Sequence, residues 1–236
     1  MATHLDLEEQ EQLDQLKAFW KQYGNLITWL LIAVLGAYAA WNGWNWYQRD
    51  QAVKAGAMYD ELDAAAQVGD ADRASRVFAD LKNRYPGTAF AQQGGLLAAK
   101  VLVDKGQADN ARAALAWVAD NAVESEYRTV ARLRLAGLLL DAKQYDEALK
   151  QLDGATSKEF AGLVADRRGD ILLAQGKKDE ARAAFRQAWD AIDPKIDYRR
   201  LVEAKLNVLG VDPTAPPAAA GDKPAATTAA ASGASR

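Results

Sequence analysis

The sequence predicts an all-α protein: one N-terminal transmembrane helix, then a solenoid of about four helix pairs closed by a C-terminal capping helix. Three observations predict it. The run from Gln22 to Gln48 carries no charged residue. Four stretches between Gln51 and Gly210 repeat one short pattern. The composition is rich in alanine, leucine and charged residues and almost free of β-branched runs, which favours helices.

The span comes first. Its apolar heart runs from Leu26 to Trp41. A helix crossing the hydrocarbon core needs about 20 residues at about 1.5 Å each, and Leu26 to Trp46 supplies them. Aromatic residues stand at both ends: Phe19, Trp20 and Tyr23 on one side, Trp41, Trp44, Trp46 and Tyr47 on the other. Tryptophan and tyrosine join an apolar body to a polar tip and so favour the headgroup zone. Lys17, Lys21 and Arg49 close the segment. These features give a short acidic N-terminal segment at 1–23 and a transmembrane helix at 24–47.

A buried core helix is the first rival reading, and the aromatic clusters and charge-free length argue against it. A cleaved signal peptide is the second, because Ala37-Tyr38-Ala39 has the small-x-small form of a cleavage site. Yet Asp6, Glu8, Glu9, Glu11 and Asp14 precede the run, where a signal peptide is basic. Charge does not orient the span: Lys17 and Lys21 balance Arg49 and Lys54. Within it, Gly36, Ala40 and Gly43 fall at i, i+4 and i+7, a stripe that would let another helix approach closely. The plainer alternative is that small residues are common in membrane helices.

The repeats occupy 48–210. Gly69-Asp-Ala-Asp72-Arg-Ala74, Gly106-Gln-Ala-Asp109-Asn-Ala111, Lys143-Gln-Tyr-Asp146-Glu-Ala148 and Gly176-Lys-Lys-Asp179-Glu-Ala181 each end in Asp-x-Ala. The alanines recur at intervals of 37, 37 and 33 residues. Four positions after each comes a large apolar residue: Phe78, Leu115, Leu152 and Phe185. Twelve positions before the last three alanines stand Ala99, Ala136 and Gly169. This is the signature of a helix-turn-helix array. The small pair lets two helices cross closely, and the large residue fills the gap against the next unit. Glycine between them permits the positive φ that ends the first helix. The aspartate is placed to cap the second helix and to suit its dipole.

Flanking signals agree. Tyr85-Pro86-Gly87-Thr88 breaks the chain between the first two units. Thr156-Ser-Lys-Glu159 has the form of a capping box opening the fourth. Asp193-Pro194 ends that unit, and Asp197 to about Leu209 reads as a helix covering the open apolar end of the solenoid. Leu62 departs from the pattern, standing where the small residue belongs, so the first unit is expected to pack differently. From 211 to 236 the chain is rich in Ala, Pro, Thr and Ser, and Pro213–Arg236 holds no large apolar residue. Ordering that stretch would cost entropy with no burial in return, so it reads as a disordered tail.

The spacing resembles the tetratricopeptide repeat, and the layout over residues 5–210 resembles the YfgM family of bacterial inner-membrane proteins. The resemblance rests on the acidic start, the span, Tyr47-Gln48-Arg49, the Ala-Gly-Leu-Leu-Leu run at 136–140 with Tyr145-Asp-Glu-Ala148, and Arg168-Gly169-Asp170. It implies an ancillary subunit of the SecYEG translocon, single-pass, with a cytoplasmic N-terminus and a periplasmic repeat domain. It also implies a membrane-anchored periplasmic chaperone of the prolyl-isomerase type as partner, and a role linking translocation to chaperones that receive emerging secretory proteins.

No motif of a reaction centre occurs, neither a phosphate loop nor a Ser-His or Cys-His constellation, and no cofactor is expected. Cysteine is absent and His4 is the single histidine, which leaves little for metal ligation. Carboxylate pairs such as Glu8-Glu9 and Asp60-Glu61 fit solvated helix faces. The net charge of −3 gives no basic field for nucleic acid. The expected partners are therefore proteins and the lipid bilayer. The alternative is a structural scaffold for envelope assembly or cell division using the same repeats; an enzyme with an unrecognised site would need a pocket with strongly perturbed carboxylates.

Overall fold

A computed structural model describes residues 7–214. His4, the start of the acidic segment and residues 215–236 of the tail lie outside the described residues. The described residues are all helical apart from turns. They divide into two compact units between Gln107 and Ala108.

The first unit is organised by α1 (Leu7–Gln67), one unbroken helix of 61 residues. At about 1.5 Å per residue it is roughly 90 Å long. The backbone does not register the change from apolar to charged sequence at Gln48. The helix that carries the span is also the first helix of the first repeat. α2 (Ala71–Arg84) and α3 (Ala89–Asp104) pack against its last third.

Local chemistry sets the ends of these helices. Gly69 adopts φ 69° and stops α1. Asp70 then caps α2, its carboxylate accepting the Arg73 N–H at 2.9 Å. The expected cap, Asp72, sits inside the first turn instead. There it suits the helix dipole and accepts from Gln107 Nε2 at 3.4 Å. Thr88 caps α3 through its hydroxyl.

Leu62 is fully buried in this unit. The space for it comes from Gly94 on α3, where a Cβ would stand 2.7 Å from Leu81 Cδ2 and 3.1 Å from Leu62 Cδ2. The small residue missing from α1 is thus supplied by α3.

The second unit holds α4 (Ala108–Asn121), α5 (Ser125–Asp141), α6 (Tyr145–Asp153), a 3₁₀ turn (Lys158–Phe160), α7 (Ala161–Ala174), α8 (Lys178–Ala191) and α9 (Tyr198–Val208). α5 packs on α4, α6 and α7, and α8 packs on both α7 and α9. Gly106 and Gly176 take φ 74° and 80° at the turns that precede α4 and α8. The third repeat has lysine at this position, and Lys143 takes the same left-handed conformation, φ 59°. The turn geometry is therefore common to all four repeats, whatever residue occupies it.

Two expectations need correction here. Thr156 and Glu159 do not form a capping box. Ser157 precedes a 3₁₀ turn, and its hydroxyl bonds the Glu159 carboxylate at 2.6 Å. The Ser157 N–H is spent on Thr129 Oγ1 at 3.3 Å, so the chain is pinned to α5 before α7 begins. The recurrent aspartates Asp109, Asp146 and Asp179 lie in the first helical turn, like Asp72, and not at the cap. Asp109 and Asp179 pair with Arg112 and Arg182 one turn on. Asp146 accepts from Gln175 Nε2 at 3.2 Å.

Candidate interaction surfaces

The membrane-length segment of α1 presents its side chains outward. Leu26, Trp29, Leu30, Leu31, Ile32, Leu35, Trp41 and Trp44 are all exposed. Among the described residues this is the one helix long and apolar enough to cross a membrane. Two of its polar side chains bond within the helix: Thr28 Oγ1 donates to Gly24 O at 2.8 Å, and Asn42 Nδ2 to Tyr38 O at 2.9 Å. Such bonds reduce the cost of carrying a polar group into lipid. A Cβ added at Gly36 or Gly43 would meet nothing within 4 Å, so the Gly36, Ala40, Gly43 stripe faces open space.

The residues singled out in the repeats are buried. In the first unit these are Ala74, Phe78 and Ala99; in the second, Ala111, Leu115, Ala136, Ala148, Leu152, Gly169, Ala181 and Phe185. Gly169 lies against the Phe185 ring, so this large residue fills space inside its own helix pair. Phe185 also joins Val202 and Leu206 of α9 in one apolar cluster, and this is how the last helix covers the open end of α8.

A polar cluster that the sequence did not reveal fixes α9 to α7. Asp166 is 2% exposed. It accepts the Tyr198 hydroxyl at 2.6 Å and the Lys205 ammonium at 2.8 and 2.9 Å. Lys205 also bonds Asp170 at 2.7 Å. Burial, offset in part by the hydrogen bond from Lys205, lifts the Asp170 carboxyl above its ordinary value. Burial and the bond to Asp166 push the Tyr198 hydroxyl well above its ordinary value. The partners lie 32 and 39 residues from Asp166, with no motif to announce them. Arg182 Nε adds a bond to Leu209 O at 2.9 Å, and Arg186 Nη1 one to Pro213 O at 3.3 Å.

This cluster floors a cavity of about 290 Å³ between α5, α7 and α9. Val130, Leu133, Phe160 and Leu163 form its apolar wall, with Arg134 and Arg167 at its edge. A more polar cavity of about 380 Å³ lies behind the 3₁₀ turn, bordered by Asp153, Ser157, Lys158 and Arg168. Among the described residues no three His, Cys, Asp or Glu side chains are grouped to hold a metal ion.

Known proteins share this layout. A family model described as a tetratricopeptide repeat-like domain matches residues 17–211. The chain is 32% identical over 213 residues to a Neisseria gonorrhoeae protein named ancillary SecYEG translocon subunit, covering 89% of this chain and 100% of the relative. An Escherichia coli protein of the same name is 31% identical over 206 residues, covering 86% and 97%. A third, from Haemophilus influenzae, is 28% identical over 205 residues, covering 86% and 98%. The match takes in the apolar helix and the repeats together, and the chain belongs to the YfgM family, whose members here are named ancillary SecYEG translocon subunits.

Proposed function

We propose that the chain is a non-catalytic ancillary subunit of the SecYEG translocon, anchored in the inner membrane by residues 24–47. In this reading 1–23 is cytoplasmic and the repeats at 48–210 are periplasmic. There they join translocation to a membrane-anchored chaperone of the prolyl-isomerase type and meet emerging secretory proteins. The stripe Gly36, Ala40, Gly43 is the face on which the membrane partner packs. The observation that carries the reading is the end-to-end similarity to relatives named for that role, through both the exposed apolar helix and the repeats. The physical layout supports it: within each unit the packed helices leave side surfaces free for protein partners, and the α5–α7–α9 cavity of the second unit is one recess of suitable size.

Two experiments test it. The full chain, purified in mild detergent, should bring down SecY, SecE or SecG and a membrane-anchored prolyl isomerase. Recovery of envelope-assembly or division proteins in their place would favour the scaffold alternative. Protease added to intact spheroplasts should digest the repeats and spare the extreme N-terminus; digestion only after lysis would reverse the orientation.

A further inference from the structure

The end of the first repeat nearest the span has a composition that packing does not require. α1 passes from Trp46 and Tyr47 into the repeat without a break, and Gly56 already touches the Phe90 ring of α3, its Cβ position 3.4 Å from Cζ. α2 turns back along α1 after the Val68–Asp70 connection. Its 14 residues bring its C-terminus back level with residue 54. The Phe90 ring also meets Tyr59 of α1, ring centroids 5.7 Å apart, so the start of α3, and with it the turn that follows α2, lies beside this stretch of α1. Residue 54 is only about 12 Å along the helix from Trp46. The headgroup layer is itself about 5–8 Å deep, so the turn at Tyr85-Pro86-Gly87 stands within reach of it.

Charge and exposure at this level fit that neighbour. Arg49, Lys54, Lys82 and Arg84 stand against Asp50 and Asp80, and Asp50 is taken by Lys54 at 2.7 Å. Arg84, Pro86 and Gly87 are exposed, and Val53 is 74% exposed. Cations at a helix C-terminus also suit the dipole, which would be a purely local role. The equivalent helices α4 and α8, however, have no basic residue in their last turn, and α6 has only Lys150. The doubly basic turn belongs to the repeat beside the membrane. At the opposite end of the hairpin, Asp63, Asp70 and Asp72 outnumber Arg73 and Lys105.

We propose that this end of the first repeat docks on anionic phospholipid headgroups, with Arg49, Lys82 and Arg84 pairing with phosphate and Tyr85-Pro86 lying at the interface. The proposal rests on the reading of α1 as a membrane anchor. It seats the first unit on the bilayer, with the first repeat held at fixed height.

The chain has no cysteine, so single labels can be placed cleanly. The full chain carrying a fluorophore at Gly87→Cys or Val68→Cys is reconstituted in vesicles of two parts phosphatidylcholine to one part phosphatidylglycerol, with a trace of headgroup-quencher lipid. Quenching at 87 should exceed that at 68 severalfold. It should fall in pure phosphatidylcholine and in the Lys82→Gln/Arg84→Gln variant, the docked-to-free ratio dropping by roughly fivefold per cation removed. Equal quenching at 87 and 68 in protein that floats with the vesicles overturns the docking alone. Strong quenching at 87 indifferent to lipid charge and to the double substitution overturns headgroup recognition. Failure to float contradicts the anchor itself, and the docking with it.

Discussion

The Phe185 ring lies directly on the backbone of Gly169: a Cβ at residue 169 would stand 2.5 Å from ring atoms Cδ1 and Cε1. The ring is fully buried, with Ala181, Ala184, Ala188, Val202 and Leu206 in the same cluster, so it has no free space to move into. Helix propensity favours alanine over glycine by about 1 kcal/mol, while overpacking costs about 1–3 kcal/mol. Overpacking wins at this contact. Gly169→Ala should lower the unfolding midpoint of the full chain in detergent, followed by circular dichroism. A raised midpoint would mean that the ring gives way.

Lys143 offers the opposite case. It holds φ 59° at the turn where the other three repeats use glycine. A left-handed conformation costs a residue with a Cβ roughly 1–2 kcal/mol, part of which glycine returns through its freer unfolded chain. Lys143→Gly should therefore stabilise by about 0.5–1 kcal/mol. A destabilised variant would show that the lysine side chain contributes more than the strain it bears.

Ala148 is fully buried at the start of α6. Leucine there adds volume to a close-packed site, and Ala148→Leu should cost about 1–3 kcal/mol, read as a lower unfolding midpoint. Ala218→Leu, in the Ala- and Pro-rich C-terminal stretch, should leave the midpoint where it is. An unchanged midpoint in Ala148→Leu would mean that the proposed repeat register is wrong.

The repeats were legible because their physics is local. Asp-x-Ala, the large residue one turn later and the turn glycine each act within a few residues, and the pattern recurs often enough to align. Features that depend on distant chain were not legible. Leu62 looked like a defect until Gly94 on α3 was seen to make room for it. The continuity of α1 was hidden because hydropathy reports the solvent around a helix, and the solvent changes at Gln48 while the backbone does not. The aspartates were placed one or two residues from their true station because side-chain capping and first-turn dipole placement favour the same residue type. The Asp166, Tyr198 and Lys205 cluster was invisible for want of any short-range signal. The residues that line the two cavities of the second unit fall at irregular positions, so no period in the sequence announces them.

That cluster gives a pH prediction. The Tyr198 hydroxyl ionises higher in the folded chain than its ordinary value of 10.0, through burial first and then its bond to Asp166. A value raised on folding adds stability that is fully present below the unfolded value and is lost as pH rises towards the folded one. Tyr198→Phe removes this contribution. The stability gap between the parent chain and Tyr198→Phe should be constant below pH 10 and shrink above it. A gap that does not change with pH would mean that the hydroxyl titrates alike in both states.

In the proposed function the apolar part of α1 binds the translocon through its small-residue face. A photocrosslinking residue placed at Gly36 or Ala40 of the full chain, in intact membranes and at its natural level, tests this most directly, with adducts identified by mass spectrometry. Tyr38 is the control, since two residues at about 100° each turn it to the far side of the helix. Adducts with SecY, SecE or SecG should form from 36 and 40, and few from 38. Adducts with none of these subunits from any of the three positions would contradict it.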